Sequence, residues 1–292
     1  SNVEVIDAND TLATINASSK PVILLAKDIT CTRTNICITL DSGQTLTGTL
    51  KLDGVTIANA VKPKIIANMP GTRKSGTAFC GTVTDLLRFD PTAFEEGREY
   101  DPRPNCTETR VIQLADDVTI EGIEITSSST DESSTYFTAM FAKADGNNHS
   151  ETVDGTIVIR DVTITRSNGK PIYVQYQLNG SPSVYADYEM EITGLVLKDA
   201  NDTLVLGNPK RLLFKDSSIE LVQPEGNNAG PQPFGDNVGV QIANYISGDI
   251  TIDNVDVFME STLYRIDFRP EGRSAVPFEI VNFRSGAEVS LI

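Results

Sequence analysis

The sequence predicts an all-β solenoid, in which the chain winds into successive coils of short, stacked strands. The main observation is a segment in which apolar and polar residues alternate, cross one small residue and then alternate again. Alternation with a period of two is the pattern of a strand with one buried face, and it excludes a helix. The segment occurs six times, at Val118–Ile125, Ile157–Ile164, Met190–Leu197, Leu212–Asp216, Ile250–Val257 and Phe278–Phe283.

The second observation concerns the small residue inside each copy, which we call the corner residue. It is always glycine, aspartate or asparagine, the types that best tolerate a left-handed backbone. The apolar parity slips at this point, because Ile120 and Ile123 are both expected to face inward although they are three residues apart. A one-residue corner between two short strands explains both features, and a tight hairpin between antiparallel strands is the alternative. The corner residues are Gly122, Asp161, Gly194, Asp216, Asn254 and Asn282.

A third short strand fits before each bent pair, so each repeat is predicted to have three strands. The longer repeats contain additional polar loops, and most of this added length is predicted to lie between the third strand of one repeat and the first strand of the next. These loops would line one edge, or rim, of the stack, and we expect the function there. The predicted first strands are Val111–Leu114, Phe137–Phe141, Ile172–Tyr176, Leu204–Leu206, Val238–Ile242 and Leu263–Phe268.

The chain before these repeats is predicted to form additional coils. Ahead of them, a short amphipathic helix with Asp10 as its N-cap is expected within about residues 8–18. A solenoid needs such a cap, because its end coil otherwise exposes its core and unpaired strand edges. Coils are expected over about residues 20–292, and the whole chain 1–292 is expected to be one domain. The strand-like segments are Val22–Ala26, Ile36–Leu40, Thr45–Leu50, Lys64–Ile66 and Leu86–Phe89.

The bent strand pairs with Asn, Asp or Gly at the corner resemble the right-handed parallel β-helix superfamily that contains the pectate and pectin lyases. The opening of the chain is similar too. Thr11–Ile15 corresponds to the cap helix of that superfamily, Val22–Ile29 to its first coil and Leu46-Thr47-Gly48 to its Leu-x-Gly turn. The resemblance implies a right-handed, three-sided parallel β-helix with a short N-terminal capping helix. It implies no particular chemistry, because lyases, hydrolases, esterases and adhesins share this fold.

Charge and hydropathy limit the partners. Lys and Arg number 24 against 40 Asp and Glu, which gives a formal net charge of −16. Such a surface disfavours nucleic acid and anionic membranes. No apolar run approaches the roughly 18 residues of a membrane span, so no membrane insertion is expected. The sequence predicts a monomer.

The four cysteines form two local pairs, Cys31 with Cys37 and Cys80 with Cys106. An even number in local pairs favours two disulfides that staple loops, and therefore an oxidising compartment. Four reduced, unrelated cysteines are the alternative. On the first interpretation, the protein is secreted, periplasmic or on the cell surface.

Catalytic motifs are hard to find, and whether the protein is an enzyme stays open. The segment Arg265–Arg273 is similar to the Arg-x-Pro-x-x-Arg element of pectate lyases, but Phe268 occupies the first Arg position. The resemblance makes Arg265, Asp267, Arg269 and Arg273 the candidates for a catalytic role. The companion Trp-x-Asp-His segment is impossible in a chain with no Trp and one His.

Outward residues on the predicted first strands offer a candidate binding surface, since stacked strands place them about 4.8 Å apart. Such a row carries amide, hydroxyl, aromatic and charged groups that suit the hydroxyl and carboxylate groups and the apolar faces of sugars. A merely solvated strand face is the alternative. The row consists of Gln113, Thr138, Tyr173, Gln175, Gln241, Arg265 and Asp267.

These features predict a secreted or cell-surface protein that binds a polysaccharide or a cell-surface glycan without catalysis. A polysaccharide lyase or glycoside hydrolase acting on acidic polysaccharide is the first alternative, and a structural spacer of a larger surface protein is the second. No cofactor is expected. The acidic pairs Glu95-Glu96 and Asp131-Glu132 would hold Ca²⁺ only weakly, and no specific metal site is predicted.

Overall fold

The fold of the chain is almost entirely β in the parts that the structure, a computed structural model, describes. One helix, α1 (Leu12–Ala17), accompanies a series of short strands that pair in parallel, with one antiparallel exception. The described residues are 2–32, 36–58, 61–67, 78–79, 101–102, 109–127, 137–143, 155–167, 170–175, 188–200, 204–207, 209–221, 238–243, 249–259, 276–281 and 288–291.

All but two of the described parallel strands form three stacks, in which each strand pairs with the strand one coil later. The first stack is a seven-stranded sheet, made of β4 (Ile36–Thr39), β11 (Thr109–Gln113), β14 (Phe137–Lys143), β17 (Ile172–Gln175), β20 (Leu204–Gly207), β22 (Val238–Ala243) and β24 (Val276–Val281).

The second and third stacks are counted as one 14-stranded sheet, because two long strands, β21 (Arg211–Leu221) and β23 (Asp249–Met259), run through the corner and belong to both. The second stack also holds β1 (Val3–Ile6), β2 (Val22–Leu25), β5 (Thr45–Thr47), β12 (Thr119–Glu121), β15 (Gly155–Arg160), β18 (Tyr188–Thr193) and β25 (Glu288–Leu291). The third stack also holds β3 (Ile29–Cys31), β8 (Lys64–Ala67), β13 (Glu124–Ser127), β16 (Thr163–Thr165) and β19 (Val196–Ala200).

The core consists of apolar side chains stacked in columns along the coils. In the second stack, strand register aligns one buried residue from each of seven neighbouring strands, β2 to β23, and their exposed fractions are at most 5%. Burying each such side chain contributes roughly 1.5–3 kcal/mol. The column is Ile23, Leu46, Ile120, Ile159, Ile192, Phe214 and Ile252. The predicted parallel solenoid is thereby confirmed.

The corner prediction is also confirmed wherever the structure describes it. Ile120 and Ile123 are both fully buried, so the inward parity slips as expected. The pairing across these corners is parallel, which shows that the antiparallel hairpin alternative is wrong. Five corner residues have positive φ, namely Gly122 (65°), Asp161 (51°), Gly194 (67°), Asp216 (49°) and Asn254 (51°).

The sixth copy of the repeat was assigned to the wrong stack. Phe278–Val281 lies in β24, which pairs with β22 in the first stack instead of forming a bent pair. The error arises because a strand of the first stack has the same apolar alternation as a strand of the second. Asn282 and the predicted strand Leu263–Phe268 lie outside the described residues.

The N-terminal region contains the expected helix with a different N-cap. Helix α1 begins after Thr11, whose backbone N–H donates to the Thr14 hydroxyl at 3.2 Å. The Asp10 carboxylate instead accepts from the Asp7 backbone N–H at 2.9 Å, so it stabilises the preceding turn and does not cap the helix. A strand that was not predicted, β1, precedes the helix and pairs with β2.

The other early segments are strands where they are described, although Thr45–Leu50 divides between β5 and a further strand, β6 (Thr49–Leu52). The segment Leu86–Phe89 lies outside the described residues. A short parallel pair, β9 (Ala78–Phe79) and β10 (Asp101–Pro102), completes this part of the chain.

One of the two predicted disulfides lies in the described part of the chain. The sulfurs of Cys31 and Cys37 are at a bonding distance of 2.03 Å, and both residues are fully buried. They join β3 to β4, which fixes the corner between the third stack and the first. Cys80 and Cys106 lie outside the described residues.

The longer connections between described strands fall at two of the three corners, which corrects the prediction of one elaborated rim. Residues 128–136 and 222–237 connect the third stack to the first, as expected, whereas residues 144–154 and 176–187 connect the first stack to the second. Five of the six predicted first strands lie in the first stack, but connections of similar length occur both before and after that stack.

A β-hairpin interrupts the second coil and is the antiparallel exception. It comprises β6 and β7 (Val55–Ala58), leaves the coil at Gly48 and returns through Lys62 and Pro63 to β8. The hairpin therefore stands beside the corner between the second and third stacks.

Candidate functional site

The predicted ligand row is partly assembled on the first stack. Strand register places Gln113 beside Phe141, Phe141 beside Tyr173, Tyr173 beside Val205, and Val205 beside Gln241. Three of the predicted residues therefore share one column, as the sequence indicated. The two intervening residues are apolar and almost fully buried, with exposed fractions of 0% for Phe141 and 2% for Val205.

Two other members of the row lie elsewhere in the first stack. Thr138 pairs with Arg110, three residues before the column, and it is fully buried, so its predicted outward position is wrong. The parity was misread because every residue from Phe137 to Ala142 is buried, and alternation cannot distinguish two buried faces. Gln175 pairs with Lys143, two residues beyond the column.

The remaining predicted site residues lie outside the described residues. They are the catalytic candidates Arg265, Asp267, Arg269 and Arg273, two of which also belong to the ligand row, and the acidic pairs Glu95-Glu96 and Asp131-Glu132.

Aromatic and cationic side chains are packed against one another at the centre of the row. The rings of Phe141 and Tyr173 meet edge to face, with centroids 5.6 Å apart. The guanidinium of Arg110 lies 3.2 Å from the centroid of the Phe141 ring, and the ammonium of Lys170 lies 5.8 Å from that of Tyr173. These cation–π contacts occupy ring faces that a sugar would need. The centre of the row is therefore a packed surface with limited room for a ligand.

A concavity, which we call the corner groove, lies between the hairpin and the corner of the second and third stacks. It has a volume of about 530 Å³, within the range of small-molecule sites. One wall comes from the hairpin, and the other comes from the outer faces of β12 and β15. The lining residues are Val22, Thr45, Thr47, Gly48, Thr49, Leu50, Lys51, Lys62, Glu121, Gly122, Arg160 and Asp161.

The floor of the corner groove is a column of polar side chains in register. Thr47, Glu121 and Arg160 occupy the same outward position on β5, β12 and β15. Arg160 Nη1 donates to Glu121 Oε2 at 3.1 Å, and the Thr47 hydroxyl lies 3.2 Å from Glu121 Oε1. Glu121 thereby holds the Arg160 guanidinium group in a fixed position, while the Arg160 side chain remains 48% exposed.

Lys62 lies at the side of the corner groove, where the hairpin rejoins the coil. Its Nζ donates to the Thr163 hydroxyl at 3.1 Å. Burial lowers the pKa of the Lys62 ammonium group, and the nearby carboxylates of Asp161 and Glu124 oppose this shift. The lining carries three cations, Lys51, Lys62 and Arg160, against the carboxylates Glu121 and Asp161. The groove is thus locally cationic on a chain whose net charge is −16.

In the part of the chain that the structure describes, His, Cys, Asp and Glu side chains form no group of three or more that could hold a metal ion. Among the same residues, no helix has the length and apolar character needed to cross a membrane.

Sequence reasoning missed the corner groove, although two of its signals are readable. The pair Asp53-Gly54 between alternating Leu and Val or Ile residues is a strong hairpin signal. Glu121 and Arg160 stand at equivalent positions, one residue before the corner residue in two successive copies, so a cross-strand ion pair was foreseeable. The position of Lys62 beside the corner groove was not foreseeable, because it depends on the path by which the hairpin returns to the coil.

Comparison with known proteins adds no relative from which a function could be transferred, so the geometry of the chain's own residues is the basis for a functional interpretation. No protein-family model, curated protein or solved structure matches the chain.

Proposed function

We propose that this protein is a secreted or cell-surface parallel β-helix that binds a glycan without catalysis, and that the corner groove is its binding site. The corner groove is the observation that carries this proposal. The partly exposed threonines Thr45 and Thr49, the exposed Arg160 guanidinium and the carboxylates of the lining offer donors and acceptors in the mixture that sugar hydroxyls require. Thr47 is buried, and its hydroxyl is bonded within the protein.

The rigidity of the site supports the same function. Thr47, Glu121 and Arg160 project from neighbouring strands of one sheet, and the Arg160–Glu121 hydrogen bond fixes both side chains before a ligand arrives. Preorganised groups lose little conformational entropy on binding. A stiff stack of coils is therefore a suitable platform for an extended polymer.

We further propose that the coils are right-handed and that α1 caps the first stack. Parallel strands joined by crossovers in one sheet are right-handed in nearly all proteins. In support of the cap, the Asn16 side-chain amide donates to the Cys37 carbonyl at 2.9 Å and accepts from the Thr39 N–H at 2.9 Å. These bonds occupy backbone groups of β4 that would otherwise be an open strand edge.

The Cys31–Cys37 bond supports the proposed location outside the reducing cytosol. Disulfides persist in secreted, periplasmic and surface proteins and are rare in the cytosol.

A glycan panel and titration calorimetry test this proposal with one matched pair of variants. Arg160 and Arg211 both lie on the second stack, both are about half exposed and both are paired with glutamate, but only Arg160 lines the corner groove. Arg160→Ala should weaken the affinity for the glycan found on the panel about tenfold or more, because a charge-assisted hydrogen bond is lost. Arg211→Ala should leave it unchanged.

Each contrary result identifies a different error. Equal losses in the two arginine variants would show that the effect is general electrostatics. Loss in Tyr173→Ala but not in Arg160→Ala would move the site to the row on the first stack. Release of unsaturated products or new reducing ends would make the protein a lyase or hydrolase, and no binding to any glycan would favour a structural spacer.

A further inference from the structure

Lys62 is a cation of the corner groove whose charge is only partly compensated. The residue lies where the hairpin returns to the coil, and it is half-buried. An ammonium group has three N–H donors, and the Thr163 hydroxyl accepts one of them at 3.1 Å. Among the described residues, no carboxylate oxygen lies within 4.0 Å of Lys62 Nζ.

The surroundings of Lys62 disfavour an isolated positive charge. Burial lowers the pKa of its ammonium group, which means that the charged form has lost favourable contact with water. The carboxylates of Asp161 and Glu124 oppose this shift without forming an ion pair with Lys62, and Glu124 is paired with Lys64 at 3.8 Å. An anion that entered the corner groove would supply the partner that Lys62 lacks.

Arg160 offers further donors on the floor of the same groove. A guanidinium group has five N–H donors, and Glu121 accepts from Nη1. The side chain is 48% exposed, so the rest of the group can reach a ligand. Because Arg160 and Lys62 both line the corner groove, an anionic group that enters it meets two donors of charge-assisted hydrogen bonds.

The carboxylates of the lining do not cancel this preference. Glu121 accepts from Arg160 and lies 3.2 Å from the Thr47 hydroxyl, so its charge is compensated within the floor of the groove. This leaves the ammonium groups of Lys51 and Lys62 against the single carboxylate of Asp161. The corner groove therefore keeps a local excess of positive charge.

The negative charge of the whole chain does not remove this excess. A net charge of −16 repels anions from the surface at long range. At physiological ionic strength, however, charges more than about 8 Å apart are largely screened from one another, so the cations of the groove dominate inside it. An anionic group is therefore attracted locally, and a general attraction of polyanions to the surface is not expected.

We propose that the corner groove recognises sugars that carry an anionic substituent, a carboxylate or a sulfate ester, and that Lys62 determines this specificity. The proposal rests on the proposed function, because it names the class of glycan that the same groove binds. A neutral sugar can hydrogen-bond to Arg160 and to the exposed threonines, but it leaves Lys62 without a counter-ion. Specificity is a difference between two affinities, and Lys62 is expected to strengthen only the affinity for the anionic sugar.

Titration calorimetry of the full chain with matched oligosaccharides tests the proposal. Glucan, galactan and mannan oligosaccharides are each used in neutral, carboxymethylated and sulfated form. For at least one backbone, an anionic form should bind about tenfold or more tightly than the neutral form. The tighter of the two anionic forms identifies the substituent, and this comparison depends on no variant.

Two lysine variants form a matched pair for the same measurement. Lys62→Gln and Lys64→Gln each remove one positive charge from the same segment, but Lys64 is paired with Glu124 and does not line the corner groove. Lys62→Gln should weaken binding of the anionic form about tenfold or more, and Lys64→Gln should change it less than about twofold. Lys62→Arg keeps the charge and should retain the preference for the anionic form.

Each contrary result has a separate meaning. Equal binding of neutral and anionic forms, weakened by Arg160→Ala, would overturn the anionic specificity and keep the proposed function. Equal losses in Lys62→Gln and Lys64→Gln would show that overall charge is the cause, and equal losses in Lys62→Gln and Lys62→Arg would give Lys62 a structural role only. No binding of any form would contradict both proposals. Circular dichroism and the urea midpoint should be unchanged in Lys62→Gln, because glutamine can still donate to the Thr163 hydroxyl.

Discussion

Gly48→Ala is expected to lower the free energy of unfolding by about 3 kcal/mol. Gly48 lies where the chain leaves β5 for the hairpin, pressed against the next coil. A methyl group there would overlap the Gly122 carbonyl oxygen and would lie 2.6 Å from the Pro63 ring. Neither neighbour is the end of a flexible side chain, so the backbone of one coil must shift away from the next. Urea unfolding followed by circular dichroism measures the effect.

Gly43→Ala is the control for this prediction. Gly43 has a φ of +79°, but nothing lies within 4 Å of the position of its methyl group. Alanine there introduces backbone strain without a clash and should lower stability by roughly 1–2 kcal/mol. If Gly43→Ala proved as harmful as Gly48→Ala, or more so, close contact between coils would not be the reason for glycine at position 48.

Asp216→Val is expected to lower the free energy of unfolding by about 2–3 kcal/mol. Asp216 is an exposed corner residue with a φ of 49°, a conformation that a β-branched side chain strongly disfavours. The substitution also removes the hydrogen bond that Asp216 Oδ1 accepts from Asn254 Nδ2 at 2.8 Å, which links two successive corners. Because the side chain is exposed, no cavity contributes to the loss.

Two control substitutions, measured in the same unfolding assay, isolate the effect of the left-handed corner. Asp216→Asn should change stability by less than about 1 kcal/mol, since asparagine tolerates the left-handed backbone. Ser218→Val, at an exposed position two residues later in the same strand, should be within about 0.5 kcal/mol of the wild type. Similar losses for Asp216→Val and Ser218→Val would show that the left-handed corner is not the cause.

The coils could be predicted from the sequence because two independent signals agree at each corner. Around Gly122 and Asp161, alternating apolar residues define the strands and the corner residue defines the bend, and the structure places both as expected. Around Asn282 the sequence showed the same two signals, but strands of the first stack have the same alternation, and an Asn after a strand does not identify the stack. Phe278–Val281 was therefore put in the wrong one.

The candidate site was less predictable because it depends on contacts between coils. The outward position of Tyr173 follows from parity, because Ile172 and Val174 on either side of it are buried and it is not, but parity has no meaning in β14, where Thr138 is buried with its neighbours. Lys62 and Arg160 line the same corner groove although they are distant in sequence. The return path of the hairpin places Lys62 and strand register places Arg160, and the alternation of apolar residues does not specify the return path.

The central claim is that successive coils stack in parallel, so that each inward side chain lies directly on the one below. Methyl NOE spectroscopy with isoleucine-labelled, deuterated protein tests it most directly. Strand register predicts cross-peaks between Ile120 and Ile159, between Ile159 and Ile192, and between Ile125 and Ile164. Cross-peaks that follow this order along the chain would support the stack of coils. Their absence, together with contacts that pair the same strands in antiparallel order, would contradict it.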